Sequence, residues 1–188
     1  MSFRLVRGVG PRPCRLMAVG EAPGASEDRR GIPFCGRSGE VLDVYLHAAS
    51  LSRSSIFLTN LYPYWPGEGN PDPTPKQIRE QEKYLVADLA DVRPKFILAI
   101  GRLAARWFLG RIDLETAHGL PHIWPHSGGI IVVPAYHPAA GLHSPEMAAK
   151  SAYDVLQFGL VTRLEIPYRP RIDEHPEPDY ALTRDRPR

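Results

Sequence analysis

The sequence predicts an α/β fold: three layers, α/β/α, around a central sheet of four parallel strands. Three observations carry this reading. Residues 16–19, 56–59, 96–100 and 130–133 are short apolar runs, nearly continuous in hydrophobicity, as strands covered on both faces are. Stretches of helical period lie between them. Strand and helix alternate along the chain, an order that crossover connections turn into a parallel sheet.

The first run ends at Gly20-Glu21-Ala22-Pro23-Gly24. A helix over 38–51 follows, with Val41, Leu42, Tyr45, Leu46 and Ala49 on one stripe and Ser38 as its cap. The second run leads into Asn60 and the proline-rich Leu61-Tyr62-Pro63-Tyr64-Trp65-Pro66. The helix over 74–92 opens on Thr74-Pro75, a capping residue followed by proline at the first helical position. Ile78, Tyr84, Leu85 and Leu89 are its apolar side. The third run stops at Gly101 and gives way to a short apolar helix over 102–109. The fourth passes through Pro134-Ala135-Tyr136 into His137-Pro138, and a last helix over 144–160 starts on Ser-Pro. Beyond it, residues 166–188 carry five prolines and mixed charge without apolar period. The chain therefore divides into one domain, 1–165, and an irregular tail, 166–188.

Composition removes several classes. At 43% hydrophobic residues the chain is not a disordered protein. No window approaches the ~18 apolar residues of a membrane helix, and residues 1–10 lack the apolar core of a secretory signal. Two cysteines, Cys14 and Cys35, make no disulfide framework and cannot alone complete a four-ligand zinc or iron–sulfur site. A cytoplasmic monomer is expected. The net charge of +2 argues against a generally basic nucleic-acid coat but leaves room for a local basic rim.

In parallel sheets ligands bind beyond the carboxyl ends of the strands, and the unusual residues sit there. The first loop is glycine-rich but has no GxxxxGK[ST] pattern, and Glu21, Glu27 and Asp28 would repel a phosphate. A carboxylate that orients a water, beside an aromatic on the Pro33-Phe34 turn, suits hydrolysis of a planar ring substrate. The same residues would serve equally as turn residues and surface charges. Asn60 offers one acceptor and two donors, enough to pair with the polar edge of a pyrimidine, or to close an Asx-turn. His137, held by Pro138, is placed to stabilise charge on a leaving group.

Taken together, GEAPGASED, GIPFCGRSGEVLD, LTN, PKFILAIGRLAA and YHPA resemble, in order and spacing, the uracil-DNA glycosylase superfamily, most of all its family 4 branch. The resemblance covers about residues 16–160. It implies an enzyme that flips uracil out of single- or double-stranded DNA and hydrolyses its N-glycosidic bond, leaving an abasic site. The one lysine in the matched motifs, Lys95, precedes its apolar run, and none stands in the loops at the strand ends to form a Schiff base, so strand cleavage is not expected. Phe34 would stack on the uracil, Asn60 would pair with it, and His137 would bond its O2. Ala22 stands in the base pocket where the most familiar branch has a catalytic Asp, so Glu21 or Glu27 would orient the water. Leu142 or His143 would be the wedge that replaces the flipped base. His118, where relatives often carry Arg, would contact a DNA phosphate. Arg29, Arg30, Arg37 and Arg53 cluster around the first two loops, where they would contact phosphates or form a solvated charged face. A non-catalytic DNA- or damage-binding member of the fold, or a glycosylase for another modified base, is the alternative.

The sequence also departs from the pattern. Family 4 enzymes usually hold a four-cysteine iron–sulfur cluster. With the motifs lined up, Tyr64 and Tyr84 stand at two of the cysteine places and Cys14 stands alone, so no cofactor and no metal are expected and the tyrosines would fill the space by packing. Residues 64–75 lack the His and Lys of the insertion that marks cross-linking relatives, which predicts turnover without a covalent adduct. Gly24 replaces a methyl-blocking Tyr, so Glu27 or the Asn60 loop would have to exclude thymine. His118, His122 and His126 recur every fourth residue, but Gly119, Pro121 and Pro125 break any helix that would align them on a metal. Trp65, Trp107 and Trp124 are read as packing residues.

Overall fold

A computed structural model describes residues 3–125 and 127–164. The tail at 166–188, its boundary at 165 and His126 lie outside the described residues. The strands β1 (Leu16–Gly20), β2 (Ile56–Asn60), β3 (Phe96–Ile100), β4 (His122–Ile123) and β5 (Ile131–Ala135) form one sheet in the order β2-β1-β3-β5-β4. The sheet thus has five strands where the sequence predicts four. The extra one, β4, is a two-residue edge strand, antiparallel to β5. Two residues between prolines carry no readable period, which is why the pattern misses it.

The four longer strands run parallel, and their register brings their carboxyl ends to one level. Gly20 lies opposite Asn60, Val19 opposite Ala99, and Ile100 opposite Ala135. Every residue of β2 and β3 is buried. Alternate side chains go to opposite faces, as the two-residue period of a strand requires. Phe96, Leu98 and Ile100 join one core; Ile97 and Ala99 join the other.

Helices cover both faces. α1 (Ala25–Arg30) and α2 (Arg37–Ala48) follow β1; α3 (Pro75–Gln81) and α4 (Lys83–Val92) follow β2. After β3 come α5 (Arg102–Leu109) and α6 (Leu114–Ala117), and after β5 come α7 (Pro138–Gly141) and α8 (Pro145–Leu164). Leu42 and Leu46 of α2 pack with Val155, Phe158 and Val161 of α8 on the first core. Leu85 and Val92 of α4 pack with Ala104, Ala105 and Phe108 of α5 on the second. Burying a side chain such as Phe158 or Phe108 is worth about 1.5–3 kcal/mol, so these two faces supply most of the cohesion.

Three local expectations change. The helix read at 74–92 divides at Glu82, although its start is as read: Thr74 caps α3 through Gln77 N, and Gln77 Oε1 accepts from Thr74 N at 2.9 Å. Ser38 lies inside α2, whose cap is Gly36. The last helix extends from residue 160 to Leu164.

Candidate active site

The carboxyl ends of β1 and β2 bring three residues together. Gly20 and Asn60 are register partners at the last position of their strands. A Cβ built on Gly20 would stand 2.4 Å from Asn60 Oδ1 and 2.7 Å from Phe34 Cζ. The amide and the aromatic edge therefore converge over a backbone with no side chain of its own. Asn60 and Phe34 are both nearly buried, at 6% and 5% exposed. Phe34 has φ 53°, a left-handed backbone that bulky residues avoid unless the surroundings impose it. Gly39 helps to impose it, because a Cβ there would lie 1.9 Å from Phe34 O.

The two acids of the first loop both bind backbone. Glu27 is buried; its Oε2 accepts from Gly24 N at 3.0 Å and its Oε1 from Gly36 N at 2.8 Å. The carboxylate thus ties the turn before α1 to the start of α2, with the aromatic turn between. Two amide donors satisfy the buried charge, as a buried carboxylate requires. Gly36 is the cap in place of Ser38 because a Cβ there would meet Glu27 Oε1 at 3.0 Å. Glu21 Oε1 accepts from Leu103 N at 2.8 Å in the first turn of α5. Burial raises the Glu21 pKa above the usual carboxylate range, and Asp72 adds to this, while the α5 amides and Arg102 oppose it. Gly101 leaves it room: a Cβ there would fall 2.4 Å from Glu21 Cδ.

His137 caps α7, its Nδ1 accepting from Ala139 N at 3.1 Å. The ring proton then sits on Nε2, which is left to donate. Burial of the imidazole disfavours its charged form and lowers its pKa to about 4; the Glu27 charge pulls the other way without restoring it. The unfolded chain protonates this residue near 6.5, the folded chain only near 4, so stability falls as pH drops between those values. The full shift corresponds to about 3 kcal/mol, and solvent at the half-buried ring reduces it to about half. Asn in place of His137 is expected to flatten the fall of Tm between pH 6.5 and 4.5 relative to wild type. An unchanged slope would place the acid sensitivity elsewhere.

Behind His137, α8 grips the chain. The buried Asp154 accepts from Tyr136 N at 2.8 Å and pairs with His118 Nδ1 at 2.6 Å, while Ser151 Oγ donates to Tyr136 O. Burial raises the Asp154 pKa, and the His118 bond opposes this. His118 is therefore not a freely placed surface cation: one nitrogen is committed to a buried carboxylate. The Tyr136 hydroxyl bonds Glu115 and, mainly through desolvation, has its pKa pushed up to about 12.

The remaining expected residues surround these loops. Arg37 is exposed at the start of α2, Ala22 is half-buried after β1, and Leu142 and His143, half-buried and exposed, follow α7. Trp107 and Trp124 pack with Phe108, as read, and Trp65 lies edge-on to Phe3. His122 approaches Ala117 O. Among the described residues no group of three or more His, Cys, Asp or Glu could hold a metal ion. Sequence reasoning missed Gly20 and Gly39, whose only signal is the lack of a side chain. Arg53, open in the sequence between a phosphate contact and a solvated charge, does neither with the nitrogen that bonds the Pro33 and Phe34 carbonyls.

Residues 7–157 match the family model described as the uracil DNA glycosylase superfamily. The chain is 34% identical to the type-4 uracil-DNA glycosylase of Archaeoglobus fulgidus, covering 82% of this chain and 80% of that protein. It is 33% identical to that of Saccharolobus solfataricus (74% and 68%) and 31% identical to that of Thermotoga maritima (72% and 70%). The convergence of Asn60 and Phe34 at the strand ends and a match over most of the chain agree: this chain belongs to the uracil-DNA glycosylase superfamily.

Proposed function

We propose that the chain is a monofunctional uracil-DNA glycosylase of base excision repair, acting on uracil flipped out of DNA. The observation that carries this is the meeting of Phe34 and Asn60 over Gly20, a planar face beside an amide. A flipped base is read by stacking and by bonds to its Watson–Crick edge, and these two side chains supply both. Cleavage of the N-glycosidic bond leaves negative charge on the base and positive charge on the sugar. The neutral His137 donates from Nε2 to the uracil oxygen as that charge grows. Glu27 is the acid whose charge His137 feels, and we assign it the role of facing the sugar and its attacking water. Glu21, bound to the first turn of α5, holds the loop. Leu142 or His143 fills the gap in the stack, and Arg37 lines the phosphate side, with His118 left only its Nε2 for a phosphate.

The residues present do not fit an iron–sulfur cluster. The sequence has two cysteines, and Cys14 is buried with its Sγ donating to Leu16 O and Ser55 O. Tyr64 packs edge-on to Tyr62, and the Tyr84 ring faces Arg7 and Lys83. No step therefore runs through such a group. No described helix is long and apolar enough to cross a membrane, and a cytoplasmic monomer suits the reading.

Incubation with single- and double-stranded oligonucleotides carrying one uracil, followed by alkali, tests it. Alkali-labile product is expected. Binding without product would instead support a damage-binding module, and neither result would point to another base.

A further inference from the structure

The turn that presents Phe34 is built from a conformation its sequence does not favour. Phe34 stands at φ 53°, and nothing in a Pro-Phe pair makes that backbone easy. What holds it comes from elsewhere in the chain. Arg53 lies in a single 3₁₀ turn (Arg53–Ser55) just before β2. Its Nη2 donates to Pro33 O at 3.0 Å and to Phe34 O at 2.9 Å. Its Nη1 donates to Asp43 Oδ1 of α2 at 2.7 Å. One planar guanidinium therefore bridges α2, the segment before β2 and two successive carbonyls of the turn.

We propose that Arg53, oriented by Asp43, is a positioning residue for base recognition. By fixing the Pro33 and Phe34 carbonyls it sets the ring that stacks on the flipped base. The inference rests on the glycosylase reading. It gives Arg53 a task different from phosphate binding, which its place in a basic cluster suggests. A fork of rigid N–H donors suits this triple contact, and a lysine ammonium on a flexible stem does not reproduce it. Free guanidinium ion can re-enter the space that an alanine leaves, because the Arg53 side chain is 32% exposed.

The test is single-turnover release of uracil from a uracil-containing oligonucleotide by wild type, R53A, R53K and D43N. R53A is expected to lose about 100-fold in rate, the scale for a misplaced binding group. KM and the salt slope of DNA binding should stay within about threefold, because no phosphate contact is removed. Millimolar guanidinium chloride should restore part of the R53A rate, and D43N should lose about tenfold. Rates within about threefold of wild type, or a loss carried by KM and the salt slope, would overturn the assignment. Amide exchange across residues 33–36 without substrate checks the clamp alone: faster exchange in R53A is expected, and unchanged exchange refutes it. Should R53A fail to fold, R53K and D43N carry the same comparison. Absence of uracil release by wild type would sink the glycosylase reading itself, while the exchange measurement would still decide whether Arg53 holds the turn.

Discussion

His137→Ala is expected to slow uracil release by about 10²–10³-fold, the usual cost of removing one donor from a site where negative charge develops. The bond from Ala139 N to Nδ1 leaves the proton on Nε2. Burial lowers the pKa to about 4 and keeps the ring neutral at physiological pH. A neutral donor costs little in the empty site and gains strength as the base becomes an anion, so it favours the transition state over bound substrate. The loss should therefore fall on the chemical rate and leave DNA affinity nearly unchanged. Single-turnover rates and equilibrium binding to the same oligonucleotide separate the two. A rate within tenfold of wild type would remove His137 from the chemistry. A titration of the wild-type rate near pH 6.5 that vanishes in the variant would instead overturn the neutral-donor role, because it would mean that His137 gains a proton near neutral pH.

The frame of this site was readable before any coordinates because buried parallel strands leave continuous apolar runs. Residues 16–19, 56–59 and 96–100 begin where β1, β2 and β3 begin and end within one residue of them. Asn60 and His137 were readable as well, since polar residues directly after such runs stand at the ligand-binding edge. Partnerships made across the fold were not. Glu27 in GEAPGASED reads as a water-orienting acid or a surface charge, and only the approach of Gly36 shows that it is a buried tie. His118 reads as a cation, yet its partner Asp154 is 36 residues away on another helix. Arg53 reads as one of four arginines near two loops. Its two carbonyl bonds depend on a backbone angle at Phe34 that no pattern encodes. Ser38 reads as a cap because of its hydroxyl, but the cap falls at Gly36, where a missing Cβ makes room for Glu27.

Gly20→Ala is expected to cost at least about 100-fold in excision while leaving the fold intact, although it adds a single methyl group. Gly20 ends β1 in register with Asn60 and pairs as an ordinary strand residue, so alanine fits its backbone. The added Cβ would lie 2.4 Å from Asn60 Oδ1 and 2.7 Å from Phe34 Cζ, distances no real Cβ tolerates. Both are side-chain ends, so the methyl displaces the amide and the ring and spares the sheet. An aromatic face and an amide moved by about 1 Å no longer meet one base in productive geometry, and misplacement of that size costs on the order of 10²-fold. His137 and Glu27 are untouched, which confines the change to recognition of the base. Free uracil should accordingly weaken as a product inhibitor of Gly20→Ala, while binding to abasic DNA stays near the wild-type value. Wild-type rates in this variant, with the melting temperature unchanged, would mean that the base does not sit against Gly20 and that Phe34 and Asn60 do not form its pocket.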